Sequence, residues 1–266
     1  MTLDRLSNGS WRWLATTGVW NFRDYGGYAL VGGGRLVKGR LFRSGEFDSA
    51  TPQDLQLIGT LKLKTLVDLR GTRERSRSLT LLTKLAEHIV VVEDETVQAP
   101  PHLDVALATM SSAEARSRMR QIYSTLPFRP RLVERLRRYF KVLAASDQPA
   151  LVCCMAGKDR TGWAVALVHT VLGVHRDDIF ADYMLTNSTG DNEARIAALA
   201  RDLEVRFRAR LDDQALQVVA SVSDEYLIGA FDAVGARYGD ISGYLHTALQ
   251  VTPEMRDALR AHFVEP

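Results

Sequence analysis

The sequence predicts an α/β layered fold: a central, largely parallel sheet flanked by helices, with a C-terminal part that is helical throughout. Two observations carry this. Short apolar or β-branched runs at 64–69, 88–92 and 150–154 alternate with stretches of helical periodicity, and residues 176–263 read as helices only.

The elements follow in order. Residues 20–48 alternate short β-prone runs with glycine clusters, which predicts a meander of small strands; the run Gly32-Gly33-Gly34 reads as a hairpin turn, because no GK[ST] and no helix follow it. Thr51-Pro52 predicts an N-cap and a first-turn proline for a helix ending near Gly59. The strand KTLVDL (64–69) comes next, then HIVVV (88–92), read as a central strand. Helices are expected over 112–126 and 130–145; in the second, Leu132, Leu136, Phe140 and Leu143 share one face. The strand 150–154 leads to TGWAVALVHTVL (161–172), a buried helix with Gly173 as its C-terminal stop. Beyond it, helices are expected to end near Leu185, to run from Asp191 to about 211, and to cover 224–237, 241–249 and 253–263.

Composition narrows the function. The chain has 266 residues, 46% hydrophobic and 25% charged, and reads as one globular domain over 1–266. Lysine plus arginine number 34 against 32 acids, so the net charge of +2 argues against a nucleic-acid partner; any basic site must be local. No apolar run approaches the ~18 residues that a membrane span requires. Two cysteines make no disulfide framework, so the cytoplasm is the default location, with a specialised secretion route left open. The six histidines show neither HxxxH nor HExxH spacing and no CxxC pair exists, so neither a metal nor another cofactor is expected.

The chemistry concentrates in LVCCMAGKDRTGW, where both cysteines sit. A strand that ends in a thiol, a short glycine-containing loop and the start of a buried helix can aim successive backbone N–H groups into one concavity. The candidate phosphate-binding residues are Met155, Ala156, Gly157, Lys158, Asp159, Arg160 and Thr161. Arg160 supplies a planar fork for two phosphate oxygens. A helix N-terminus and an arginine favour a thiolate, which makes Cys154 a nucleophile able to form a cysteinyl-phosphate. Asp159 can protonate the leaving group and Thr161 can hydrogen-bond the departing sulfur.

The spacing Cys154-x5-Arg160-Thr161 resembles the CX5R[ST] signature of cysteine-dependent phosphatases. AGKDRTG is more narrowly similar to bacterial tyrosine and dual-specificity phosphatases. Asn21-Phe22-Arg23-Asp24 with Gly26-Gly27, Phe42-Arg43-Ser44, Val67-Asp68-Leu69-Arg70 and Asp182-Tyr183-Met184-Leu185-Thr186-Asn187 resemble that family's other motifs in the same order, over roughly 20–263. The resemblance implies a cysteine-phosphatase-like fold, Cys154 as nucleophile, Arg160 on phosphate, Asp159 as general acid with Asp68 as second candidate, and Lys158 facing a substrate phosphate. It implies phosphoprotein or phosphoinositide substrates and a helical lid within about 188–222. The family usually has histidine before the nucleophile; here Cys153 stands there.

Plainer readings stand beside these. Cα atoms of adjacent residues lie about 3.8 Å apart, under the ~4.4 Å lower end for disulfides, so Cys153 reads as a packed hydrophobe. Asp159 can simply cap its helix, Asp68 can pair with Arg70, Lys158 can be solvated, and Arg23, Asp24 and Arg43 can hold the loop floor. The arginines Arg70, Arg73, Arg75 and Arg77 read as a charged turn or as an inositol-phosphate rim. Two other functions fit a thiolate loop: a phosphopeptide- or phosphoinositide-binding module with weak turnover, and sulfur or arsenate transfer.

Overall fold

A computed structural model describes residues 12–75, 82–91, 110–190, 192–207 and 211–266. Its centre is the strand that ends in the first cysteine. Strands are β1 (Arg23–Asp24), β2 (Arg35–Leu36), β3 (Leu41–Ser44), β4 (Thr65–Asp68), β5 (His88–Val90), β6 (Ala150–Cys153) and β7 (Val264–Glu265). Five of them form one sheet in the order β1-β3-β6-β4-β5, and only the β1–β3 pair is antiparallel. Cys153 lies opposite both Ser44 and Asp68, so β3, β6 and β4 finish level with one another. The loops that leave them meet at the carboxyl edge, where open α/β sheets bind ligands.

All four residues of β6 are buried, as a strand covered on both faces must be. Alternation sends Ala150, Val152 and Cys154 into the larger core. Leu151 and Cys153 go into a smaller one with Phe22, Phe42, Phe47 and Ile58. Each fully buried Leu, Val or Phe adds roughly 1.5–3 kcal/mol.

The helices are α1 (Pro52–Gly59), α2 (Thr72–Arg75), α3 (Ser112–Thr125), α4 (Pro130–Ala145), α5 (Asp159–Leu172), α6 (Arg176–Met184), α7 (Asn192–Phe207), α8 (Asp213–Ala220), α9 (Asp224–Tyr238), α10 (Ile241–Thr247) and α11 (Pro253–Phe263). α5 lies in the larger core and is buried nearly all round; it stops at Gly173, whose φ of 87° suits a residue without Cβ. The stripe expected in α4 is buried as predicted. Among the described residues no helix is long and apolar enough to cross a membrane.

Three expectations need correction. HIVVV is an edge strand: β5 pairs with β4 alone among the described strands, and His88 is exposed. Its side chains still pack on both sides, Ile89 against the smaller core and Val90 against the larger, so the β-branched run does not distinguish an edge from the centre. The N-terminal strands are not a simple meander, because β2 pairs with β7 at the chain's other end. The helix expected from Asp191 to 211 is followed by a second one that was not foreseen, α8, whose cap Asp212 accepts from the Ala215 amide at 2.8 Å.

Asp54 ties the N-terminal segment to this frame. It completes a capping box with Thr51 at the start of α1 and also accepts from the amides of Thr17 (2.8 Å) and Gly18 (2.9 Å). Burial works against the charge, yet these amides hold its carboxyl below the usual range. The anchored segment then runs to Trp20, whose carbonyl accepts from Gly45 N at 2.7 Å, and so delivers Asn21 to the site. Asp54→Ala is expected to cost more than the ~1 kcal/mol of an ordinary cap, about 2–3 kcal/mol, because three amides lose an acceptor together. Urea unfolding of the variant beside Thr51→Ala measures the difference.

Candidate active site

Residues 154–158 leave β6 and turn into α5. Among the described residues, the backbone amides of Met155, Ala156, Gly157 and Lys158 have no acceptor in the protein. Four free N–H groups in one tight loop, next to a helix N-terminus, form a concavity suited to an anion. The loop's carbonyls, by contrast, are tied down from outside. Glu46 N donates to Met155 O at 3.0 Å, while Asn21 Nδ2 (2.6 Å) and Arg43 Nη2 (2.9 Å) both donate to Gly157 O. Holding the carbonyls outward points the amides inward. Gly157 has φ of 64°, and a Cβ there would come within 2.5 Å of Gly45 N, so the loop lies on the β3–α1 connection too closely for any other residue.

Arg43 is itself held. Its Nη1 lies 2.7 Å from Asp182 Oδ2, and Arg23 reaches the same carboxylate at 3.3 Å and the Asp182 carbonyl at 2.8 Å. All three side chains are essentially fully buried. Burial opposes the Asp182 charge, but the two guanidiniums keep its carboxyl well below the usual range; burial and the neighbouring Arg43 bring Arg23 down to about 10. Arg23 and Arg43 thus hold the loop floor, as one reading of the sequence had it. Asp24 stands apart from this, accepting from the amides of Gly26 and Gly39.

Arg160, the second residue of α5, is gripped by Glu74: Nη1 to Oε2 and Nη2 to Oε1, both 2.7 Å. Burial alone would raise the Glu74 carboxyl; the Arg160 fork overrides it and pushes it down to about 2. With Nη1 also donating to Leu69 O at 3.3 Å, the Nε and remaining Nη2 hydrogens are left for a ligand. Glu74 was missed in the sequence, where it sits inside RGTRER and looks like one more charge of a turn. That turn is not a surface feature throughout: Arg70 and Arg75 are buried and hydrogen-bonded, so neither serves as a rim for inositol phosphates. Arg77 lies outside the described residues, as does the side chain of Arg73.

Asp68 is fully buried. It accepts from the Arg70 amide at 2.9 Å and from Arg70 Nη2 at 2.9 Å, which is the ion pair the plainer reading expected. Asp159 is placed differently. It is the first residue of α5, one past the N-cap position, which Lys158 holds; its Oδ1 accepts from the Tyr123 hydroxyl at 2.7 Å. Its side chain keeps 29% of its surface. Lys158 is buried rather than solvated. Its Nζ donates to the Val219 carbonyl and, at 3.2 Å, to Ser221 O, at the end of α8, and lies 3.6 Å from Asp159 Oδ1. Burial presses its ammonium below the usual range. The Thr161 hydroxyl is fully buried and has no hydrogen-bond partner among the described residues.

The two cysteines part company. Cys154 begins the loop. Cys153 lies wholly inside the smaller core, where burial and then the nearby Asp68 charge push its thiol well up, so it stays protonated and inert. Both are free thiols. Among the described residues no cluster of His, Cys, Asp and Glu is disposed to hold a metal. A groove of about 600 Å³ runs along α3 past Glu114, Arg118 and Arg129, but none of its lining residues belongs to the loop.

A family model described as the tyrosine phosphatase family matches residues 14–265. The chain belongs to the tyrosine phosphatase family. Membership makes it a phosphoric monoester hydrolase of the protein-tyrosine-phosphatase type. A protein of Cupriavidus necator that carries the name tyrosine-protein phosphatase is 32% identical over 251 residues, covering 94% of this chain and 88% of that one. The triple specificity protein phosphatase PtpB of Mycobacterium tuberculosis is also 32% identical, over 262 residues, covering 87% of this chain and 92% of its own.

Two substitutions separate scaffold from function in this phosphatase. Asp182→Asn leaves two guanidiniums buried without their counter-charge and is expected to cost about 3–5 kcal/mol in urea unfolding. Glu74→Gln keeps the shape but loosens Arg160, and kcat/KM for 4-nitrophenyl phosphate is expected to fall about 10- to 100-fold, the scale of lost outer-shell partners. The stabilisation Glu74 draws from Arg160 is complete above its ordinary value near 4.5 and is lost as pH falls through about 2. Acid unfolding of Glu74→Gln should lack that component.

Proposed function

We propose that the chain is a cysteine-dependent phosphatase that works through a cysteinyl-phosphate. The observation that carries this is the loop between Cys154 and Arg160, fixed from behind, whose amides at 155–158 meet no acceptor among the described residues. A phosphoryl group seated there has three oxygens facing backbone N–H groups and the remaining Arg160 hydrogens, all preorganised before it arrives. Cys154 Sγ attacks phosphorus in line; the S–P bond forms as the P–O bond breaks, and Asp159 gives its proton to the departing oxygen. Water then attacks phosphorus, Asp159 takes a proton from it, and the S–P bond breaks. The Thr161 hydroxyl, buried and unengaged among the described residues, is the donor we assign to the sulfur as it leaves.

Asp159 is preferred to Asp68 as the acid because it retains exposure at the loop's mouth, whereas Asp68 is sealed against Arg70. Helices α7 and α8, within the interval 188–222, are the lid in this reading: Arg195 of α7 donates to Ala220 O, and Lys158 reaches the neighbouring carbonyls of Val219 and Ser221. Phosphotyrosine is the first substrate to expect; the mycobacterial relative is named a triple specificity protein phosphatase, which favours a range wider than one substrate type, and phosphoserine, phosphothreonine and phosphoinositides are the further candidates. A binding module without turnover or a sulfurtransferase would leave the Asp159 placement without purpose.

Phosphate release from matched phosphotyrosine, phosphoserine and phosphothreonine peptides and from phosphoinositides, in EDTA, tests the reading. Turnover is expected in the wild type and loss of at least about 10³-fold in Cys154→Ser, the scale of removing a nucleophile. Binding of a phosphopeptide with no release would replace the enzyme by a phosphate-reading module.

A further inference from the structure

A chain of phenols runs behind the proposed acid. The Tyr183 hydroxyl of α6 donates to the Tyr123 hydroxyl of α3 at 2.7 Å, and Tyr123 donates to Asp159 Oδ1 at 2.7 Å. The direction is set from one end: Oδ1 accepts, so each hydroxyl points its hydrogen toward it. Tyr123 and Tyr183 are buried at 0% and 1% exposure, and burial, with the Asp159 charge second, pushes both phenols well above their usual range, so they remain donors.

Packing holds the chain in place. Tyr226 of α9 stacks on Tyr123 with ring centroids 5.5 Å apart, and Tyr183 meets Tyr123 edge-on at 6.2 Å. Tyr183 in turn presses on Gly162, where a Cβ would lie 3.0 Å from its ring. A cation near the acid also favours one oxygen: Lys158 Nζ is 3.6 Å from Oδ1. Among the described residues no hydrogen bond is made to Oδ2.

We propose that Tyr123, backed by Tyr183, is a positioning residue that fixes the Asp159 carboxyl through Oδ1, so that the proton travels on Oδ2 and is presented to the leaving oxygen. The inference rests on the assignment of Asp159 as general acid. The phenols lose no proton. In the first step the Oδ2 proton passes to the oxygen whose bond to phosphorus breaks; in the second Oδ2 recovers one from water, while Tyr123 steadies the charge left on Oδ1. Held from one side only, the carboxyl cannot rotate its protonated edge into the protein, where it would be lost to the reaction.

The test is leaving-group dependence. A dinitrophenolate departs with little help from an acid, and phenolate needs it. Tyr123→Phe removes one oxygen and keeps the ring stack. It is expected to lower kcat/KM for phenyl phosphate about tenfold, the scale of one hydrogen bond to a charged group. The loss for 2,4-dinitrophenyl phosphate should stay under about threefold on the same scale. In an Asp159→Asn background the Tyr123→Phe change should add nothing, as partners in one device do not add. Tyr183→Phe leaves the Tyr123 bond to Asp159 intact; it should repeat the pattern at smaller amplitude, and it carries the test if Tyr123→Phe does not fold.

Equal loss on both substrates means a distorted loop and overturns the proposal, as does no loss on either or a further loss in the Asp159→Asn background. If Asp159→Asn does not itself steepen the dependence on leaving group, the acid assignment falls and takes this inference with it. If Asp159→Asn steepens it and the tyrosine variants do not, only this inference falls.

Discussion

One carbonyl oxygen organises the site. Gly157 O accepts from Asn21 and from Arg43, and everything that matters to the loop is arranged so that those two donors cannot move. Arg43 is locked by Asp182, Asp182 is shared with Arg23, and Arg23 contacts the side chain and carbonyl of Asn21, which closes the circuit. The members come from the N-terminal segment, β3, the loop before α5, and α6, so the loop at 154–158 is supported by residues spread over more than half the sequence. A buried cluster of this kind is poor evidence of stability for its own sake, because desolvating three charges is costly. Its value lies in geometry: with the Gly157 carbonyl pinned outward, the Lys158 amide of the same peptide unit is turned the other way, into the loop's concavity.

The sequence revealed the parts of this arrangement that are local. The short strand ending in a thiol, the glycine that must take a left-handed turn, and the helix beginning beside the arginine are neighbours along the chain, and their order was legible from spacing alone. The same holds for the Thr51 cap and the Gly173 stop. What stayed hidden depends on contacts between distant residues. Glu74 lies 86 positions from Arg160, and in RGTRER its charge is indistinguishable from those around it. Tyr123 shares its helix with exposed arginines, and nothing in its spacing says that its hydroxyl meets Asp159. Strand order is hidden for a related reason: valines pack as well at a sheet's edge as at its centre, and a two-residue strand at the C-terminus carries no signal until β2 is beside it.

Charge is distributed here by what each group is for. Asp68, Asp182 and Glu74 are paired with arginines and fixed in place, so their carboxylates act as struts. Asp159 differs: its 2.7 Å hydrogen bond comes from a neutral phenol, the Lys158 ammonium stands at 3.6 Å, and part of its surface reaches solvent. Lys158, lying between the loop and the end of α8, joins the two in one hydrogen-bonded unit, and no rearrangement of that helix end leaves the loop's electrostatics unchanged.

The adjacent cysteines face opposite layers of the molecule, Cys154 toward the larger core and Cys153 into the smaller one on the far side of the sheet. Sulfurs on opposite faces of one strand cannot bond without dismantling it, and the chain has no third thiol. A sulfenic acid formed on Cys154 therefore finds no resolving thiol within the chain. Its return to thiolate depends on a small-molecule or protein thiol entering by the route that substrate uses, so whatever occupies the loop also shields the sulfur from further, irreversible oxidation.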